Sequence, residues 1–318
     1  MTGRIPLSLA PVGIAGLFVL VGSLVSANFA QETIAGLTQG AIFANLALAL
    51  VLVERSSGLL NIAQGEMAMA TTYFAFQFTQ WGMGYWPAFL LTLAVAFVFG
   101  AAVQSVLIRP VQHRPPSTVV VVTIGLFILI DGLVTWRWGA EIQFLRAPFG
   151  NAVYNVGSVA IARQTLGTLL VSIAAVVALW LFFRFTKLGF GMRAVSERRD
   201  AAELMGVPVN RMLAIGWGLA AVLGAVAGLM AAPTQFLQPT MMHSILMYAL
   251  AAAVFGGFDS PSGAVIGGLT LGVFLNLAGA YVSFVTPELR LPAAFVVLVA
   301  VLLVKPSGLL GSEKVQRA

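Results

Sequence analysis

Apolar runs, each about as long as a bilayer is thick, recur from one end of this chain to the other, and most charges lie between them. Ten such runs are read, at 8–27, 34–53, 62–79, 87–108, 118–136, 165–183, 212–231, 243–258, 264–284 and 291–304. A helix needs about 20 apolar residues to cross the ~30 Å hydrocarbon layer, where only helices and closed barrels satisfy their own backbone groups. The pattern predicts an all-α polytopic membrane protein with about ten transmembrane segments. Charged residues make up only 9% of the chain, so there is little soluble mass. Val25-Ser26-Ala27 has the look of a small-residue cleavage site, which would make the first run a signal peptide. A single Arg4 ahead of it favours a retained span.

Net charge is +6, a balance that would also suit a nucleic-acid binder. The cations, however, cluster at the ends of apolar runs, as the positive-inside rule requires, and no nucleic acid is expected as a partner. With the N-terminus inside, thirteen Lys and Arg fall in cytoplasmic segments and four (Arg137, Arg146, Arg163 and Arg290) outside. Both termini are then cytoplasmic. The chain has no cysteine, which excludes disulfides, thiol catalysis and Cys-based metal sites.

Ten spans divide into five and five, and an odd number per half gives the halves opposite topology. The chain reads as one transmembrane domain over 1–318, with half-repeats at about 8–136 and 165–304. Each half has a stretch that breaks or re-enters near its third span: Gly58 to Glu66 (GLLNIAQGE) and Gly256 to Gly263 (GGFDSPSG). These are either paired interruptions lining a midplane path or ordinary turns between spans.

The largest polar island, 187–211 within a loop at 186–211, holds five of the seventeen Lys and Arg and three of the eleven acids. Within it, 196–205 reads as one short helix, with Asp200 and Glu203 as its start signal and Arg199–Glu203 as an i, i+4 pair. Gly206-Val207-Pro208 stops it. Ala201, Leu204 and Met205 would share a face, either as a docking patch or as part of a basic loop that docks nothing.

Glu66 and Asp131 are the acids inside spans. Burying either costs at least about 2.5 kcal/mol on insertion scales, so each needs a partner or a water-lined cavity. Glu66 lies near the cytoplasmic end of its run, beside Asn61 and Gln64, and is either a helix-capping carboxylate at the interface or part of the path. Asp131 lies deeper, lining the path or bonding between helices. Asn45 and Asn276 read as interhelical glue, and Gly224-x-x-x-Gly228, Gly263-x-x-x-Gly267 and Gly268-x-x-x-Gly272 as close-packing faces. Trp136, Trp138 and Phe149 are placed either to anchor the long outer segment 137–164 at the interface or to offer a surface to a partner. No phosphate-binding loop and no HExxH motif occur, His113 and His243 are far apart, and no Ser–His pair stands out, so catalysis has no support. The same acids leave open an ion-coupled secondary transporter in which Glu66 and Asp131 carry protons.

Four motifs, in order, resemble those of the branched-chain amino acid ABC transporter permeases: GLLNIAQGEMAM, the loop GFGMRAVSERRDAAELMGVPVNRMLAIGW, GGFDSPSGAVIGGLTLGV and the terminal KPSGLLG. The likeness covers the chain from about Gly36 onward and is closer to the shorter, first permease subunit than to the longer second. The family often carries His where this chain has Gln64. The resemblance implies a bacterial inner-membrane importer subunit, embedded in lipid and without a cofactor. Two cytoplasmic ATP-binding subunits, a second permease and an extracytoplasmic solute-binding protein would complete it. On this reading, Asn61, Gln64, Gly65, Glu66 and Asp131 belong to the substrate path. Arg193, Ala194, Glu197, Asp200, Ala201, Leu204 and Gly206 couple to the ATPase. Relatives also carry urea, amides and other amino acids, so the solute does not follow.

Overall fold

The structure is a computed structural model, and it describes residues 27–150, 152–156 and 159–311. The first predicted span, Arg4, the cleavage-like Val25-Ser26-Ala27 (its last residue aside) and the final residues with Lys314 and Arg317 lie outside that range. Eleven α-helices are present among the described residues. In order they are α1 (Ala27–Ser57), α2 (Gln64–Gln80), α3 (Tyr85–Val103, continuing through a π turn at Gln104–Ile108) and α4 (Pro116–Trp138). The short strands β1 (Val153–Val156) and β2 (Val159–Ala162) follow. Then come α5 (Arg163–Phe185), α6 (Lys187–Glu197), α7 (Arg199–Leu204), α8 (Val209–Gln235), α9 (Met241–Gly256), α10 (Pro261–Tyr281) and α11 (Arg290–Val304).

Seven of these are long and apolar enough to cross a membrane. The chain is thus a polytopic, almost wholly helical membrane protein. The β1–β2 hairpin, paired antiparallel from Val153↔Ala162 to Val156↔Val159, is the exception to an all-α reading. α2 (17 residues) and α9 (16 residues) are shorter, ~25 Å each, just less than the hydrocarbon thickness.

Burial sorts the helices. In α1 and α8 the most apolar stretch is 83% and 78% buried, whereas in α5 and α11 it is 22% and 11%. α1 and α8 are therefore the central pair, and α4, α5 and α11 form the rim. Close approach explains the central position. A Cβ on Gly40 of α1 would lie 2.7 Å from the Gly268 carbonyl oxygen of α10, so only glycine lets those backbones meet. Gly272 of α10 packs on Gly36 and Gly40 in the same seam. Similarly, Gly224 and Gly228 of α8 face Ala68 and Thr72 of α2, and Gly263 and Gly267 of α10 face Gly256 and Ala252 of α9. All three small-residue spacings are packing faces. Asn45 bridges α1 to α5 through Ser172 O (3.3 Å), and Asn276 bridges α10 to α1 through Gln39 Oε1 (2.8 Å).

Two ends of the bundle differ. One carries the hairpin and a separate bridge between Gln143 and Leu237. Trp138 Nε1 donates to Gln77 Oε1 at 3.0 Å, and the Phe149 ring packs on Trp86 at 5.4 Å, so these two tie the segment 137–164 to the bundle. Trp136 is exposed. The other end carries α6 and α7 and most of the arginines. There the GGFDSPSG and KPSGLLG motifs meet: Leu309 N and Leu310 N donate to Phe255 O and Gly256 O at 2.8 and 2.9 Å.

Candidate functional site

The interruption read at 58–66 is real and has a built interior. Asn61 Nδ2 donates to Gln64 Oε1 at 3.0 Å, and Asn61 Oδ1 accepts from Ala63 N at 3.1 Å, closing the turn that launches α2. Gln64 Nε2 then donates to the Ala220 carbonyl oxygen of α8 at 3.0 Å. The amide at 64 thus satisfies both the turn and the neighbouring helix. Asn61 and Gln64 are wholly buried and committed to these partners, which makes them positioning residues. A Cβ on Gly65 would stand 3.2 Å from Leu246 Cβ, so a bare backbone is what admits α9 this closely.

The result is to bury Glu66, not to leave it at an interface. Its side chain is 0% exposed. The turn sits against Ala220, near the middle of α8 (~16 Å from its start). The expectation of an end-of-span carboxylate arose because the sequence hides how far residues 58–63 reach inward before the helix begins.

His243 of α9 faces Glu66, with Nε2 2.8 Å from Glu66 Oε1. The approach is out of line for a hydrogen bond, and both Glu66 oxygens and His243 Nε2 are without one among the described residues. Asp131 of α4 completes the group: one ligand atom from each of Glu66, Asp131 and His243 lies within 4.8 Å of the others. The Phe127 ring stacks over the imidazole at 5.4 Å and 26°. Two carboxylates and an imidazole from three helices make a donor set able to hold a cation, whether an ammonium group or a metal ion. Glu66 and His243 are each the third residue of a short helix, α2 and α9, whose first turns lie against each other.

His243 is the member of this group that the sequence reading did not single out. Its signal was a lone imidazole opening an apolar run directly after a proline-containing turn, Gln238-Pro239-Thr240. The stretch 256–263 is the turn joining α9 to α10, with Ser260 Oγ accepting from Gly263 N at 3.1 Å. The segment that leads into α9 as 58–63 leads into α2 is 236–240, where Phe236 has φ 59°.

A cavity of about 270 Å³ opens towards the hairpin end between α1, α5, α8, α9 and α10. Thr38, Gln39, Gln164, Thr234 and Asn276 line it, and Ile245 of α9 forms part of its wall. It offers amides and hydroxyls and no charge.

At the opposite end, the helix expected at 196–205 is two helices broken at Arg198 (φ −149°). Arg199 donates to Gln112 Oε1 at 2.9 Å in place of the expected pairing with Glu203. The stop is as read: Gly206 (φ 81°) donates to Glu203 O at 2.9 Å and Val207 N to Ala202 O at 3.0 Å, a Schellman closure. Ala202 is the buried contact, while Arg193, Glu197, Asp200, Ala201, Leu204 and Met205 are exposed. Leu204 and Met205, at 90% and 83% exposure, form an apolar knob at the end of the molecule. Ala194 is half-buried.

Two short helices meet around a buried carboxyl group deep among membrane-length helices, as the broken helices of many transporters do. The model of the family described as branched-chain amino acid transport system / permease component matches residues 33–304, and the chain belongs to that family. It is 31% identical over 306 residues to the high-affinity branched-chain amino acid transport system permease protein LivH of Salmonella typhimurium, covering 91% of this chain and 97% of that one. It is 28% identical over 304 residues to BraD of Pseudomonas aeruginosa, covering 91% and 98%. A solved structure, PsaBC from Streptococcus pneumoniae in complex with Fab, aligns with a TM-score of 0.46 at 14% identity over 89% of this chain and 94% of that one, too slight a likeness to carry an argument. These relatives are transport components and not enzymes.

Proposed function

We propose that the chain is the permease subunit of an ABC importer for branched-chain amino acids, and that its solute passes the junction of α2 and α9. The observation that carries the path is the meeting of Glu66, His243 and Asp131 at the first turns of these helices. A solute ammonium is suited to the two carboxylates, and separation of His243 from Glu66 would open the junction. Asn61, Gln64 and Gly65 hold Glu66 in place. The uncharged cavity at the hairpin end is the entry from the solute-binding protein.

Ten spans in two inverted halves are the frame we infer. What supports it is that packings come in pairs: α2 and α3 on α8 are matched by α9 and α10 on α1, and α2 with α4 by α9 with α11. Under that frame the arginine-rich end is cytoplasmic, in a bacterial inner membrane. The knob at Leu204 and Met205, with the exposed Glu197 and Asp200 of α6 and α7, then meets an ATP-binding subunit, with a second permease completing the importer. ATP binding shifts the halves between two arrangements.

Reconstitution with the ATPase and the binding protein tests this. ATP hydrolysis stimulated by leucine, isoleucine or valine, and not by urea or short amides, is expected. Uptake that needs no ATPase and collapses with a protonophore at constant ATP would replace it with ion coupling through Glu66 and Asp131.

A further inference from the structure

A second cavity, of about 540 Å³, runs along α1 between α5 and α10 and is closed at the basic end by α6. We propose that it is a site for one anionic phospholipid, with the phosphate on Arg55, Arg184 and Arg193 and an acyl chain between the helices.

The lining changes character along its length in the same sense as a phospholipid does. Away from the basic end it is apolar, with Leu48 and Leu52 of α1 as floor, Val176 and Leu179 of α5 on one side, and Val265 and Ile266 of α10 on the other. Towards the end of α1 and α5 come Arg55 and Arg184, each in the last turn of its helix, and then Arg193 of α6. No acid lines the cavity among the described residues. Glu197 approaches Arg55 at 4.0 Å but is 78% exposed, so the mouth keeps a positive balance. Basic pockets between membrane helices at the cytoplasmic side favour lipid phosphate in this way.

Its opening lies on an apolar outer face of the bundle. α5 buries few residues, and its outward side shows Leu170, Ile173, Val177, Trp180 and Leu181. Arg184 lies over the Trp180 ring at 5.2 Å, an aromatic–cation pair at the level expected of a membrane–water interface. The volume also selects the occupant. It lies within the range of small-molecule sites, whereas a protein helix ~10 Å across would fill it in little more than one turn. An acyl chain is thin enough to lie along the groove, and free phosphate would leave its apolar length unfilled.

The test is native mass spectrometry of the intact complex extracted in mild detergent, delipidated, then supplied with palmitoyl-oleoyl phosphatidylglycerol, the matching phosphatidylethanolamine, or inorganic phosphate. One phosphatidylglycerol per subunit should be retained, at least about tenfold above phosphatidylethanolamine, and phosphate should not displace it. Arg55→Gln with Arg184→Gln should abolish that preference. Val265→Phe, which leaves every charge in place and narrows the groove, should lower occupancy severalfold, and serves if the arginine variant does not fold. Equal retention of both lipids, displacement by phosphate, or unchanged retention in both variants would overturn the proposal. So would a cysteine at Val177 cross-linking quantitatively to another subunit, which would show protein over the opening.

Discussion

α2 and α9 are nearly equal in length and carry their key polar residue at the same third position, yet they are seated differently. α2 is bound by polar contacts: Asn61, Gln64 and the Ala220 carbonyl lock its first turn to α8, and Glu66 has no exposure. α9 enters through a turn tied by the Gln143–Leu237 bridge and the Phe144–Phe236 ring contact, with no side-chain hydrogen bond across to another helix among the described residues, and the His243 side chain is 40% exposed. The difference teaches which side of the junction is fixed. Under the function we propose, α2 is the post and α9 the part that swings, with His243 as the contact that leaves.

The largest effect should come from disturbing the seats themselves. A Cβ at Gly228 would stand 2.9 Å from Ala68 O beneath α2, and one at Gly267 3.1 Å from Gly256 N beneath α9. Gly228→Leu and Gly267→Leu should each cost ~3 kcal/mol or more, read as loss of monodisperse protein and a lower Tm. If only one fails, the two seats are not counterparts.

Next comes the Glu66–His243 contact. His243→Ala leaves the Glu66 carboxyl group buried beside Asp131, and should destabilise by ~1–3 kcal/mol. Glu66→Gln removes that carboxyl group and should cost less. The double variant should be more stable than His243→Ala alone, a coupling that a thermal double-mutant cycle measures. Additive losses would mean that the two side chains do not act on each other.

Smaller again is the polar lock. Gln64→Ala should cost ~1–2 kcal/mol by freeing the Ala220 carbonyl and Asn61, and should slow uptake by loosening Glu66. Gln64→His should restore part of the loss if an imidazole can reach the same carbonyl. Asn45→Ala, away from the junction, sets the floor at ~0.6 kcal/mol, the usual worth of a hydrogen bond between membrane helices.

Much of this architecture was readable in the sequence because bilayer physics leaves few choices. Apolar length located the helices, glycine spacing located the seams around α1 and α8, and Asn45 and Asn276 were bridges as read. Glu66 and Asp131 stood out because charge within an apolar run demands a reason. His243 did not, because its partner lies 177 residues earlier in the chain and no local pattern joins them. The two interruptions were also mismatched: Gly256–Gly257 signals a tight turn as strongly as Gly58 signals a break, and only packing tells 236–240 apart as the lead into α9. The break at Arg198 escaped notice because Ser196 to Met205 has no strong helix breaker.

Paired cysteines at Gly65 and Leu246 test the central claim most directly, in a chain with no cysteine of its own. The Cβ positions are 3.2 Å apart, close to disulfide reach. Mild oxidation of the assembled importer should cross-link the pair, halt uptake of branched-chain amino acids and permit recovery with reductant. Uptake at the full rate by fully cross-linked protein would show that the α2–α9 junction does not open, and would contradict the account.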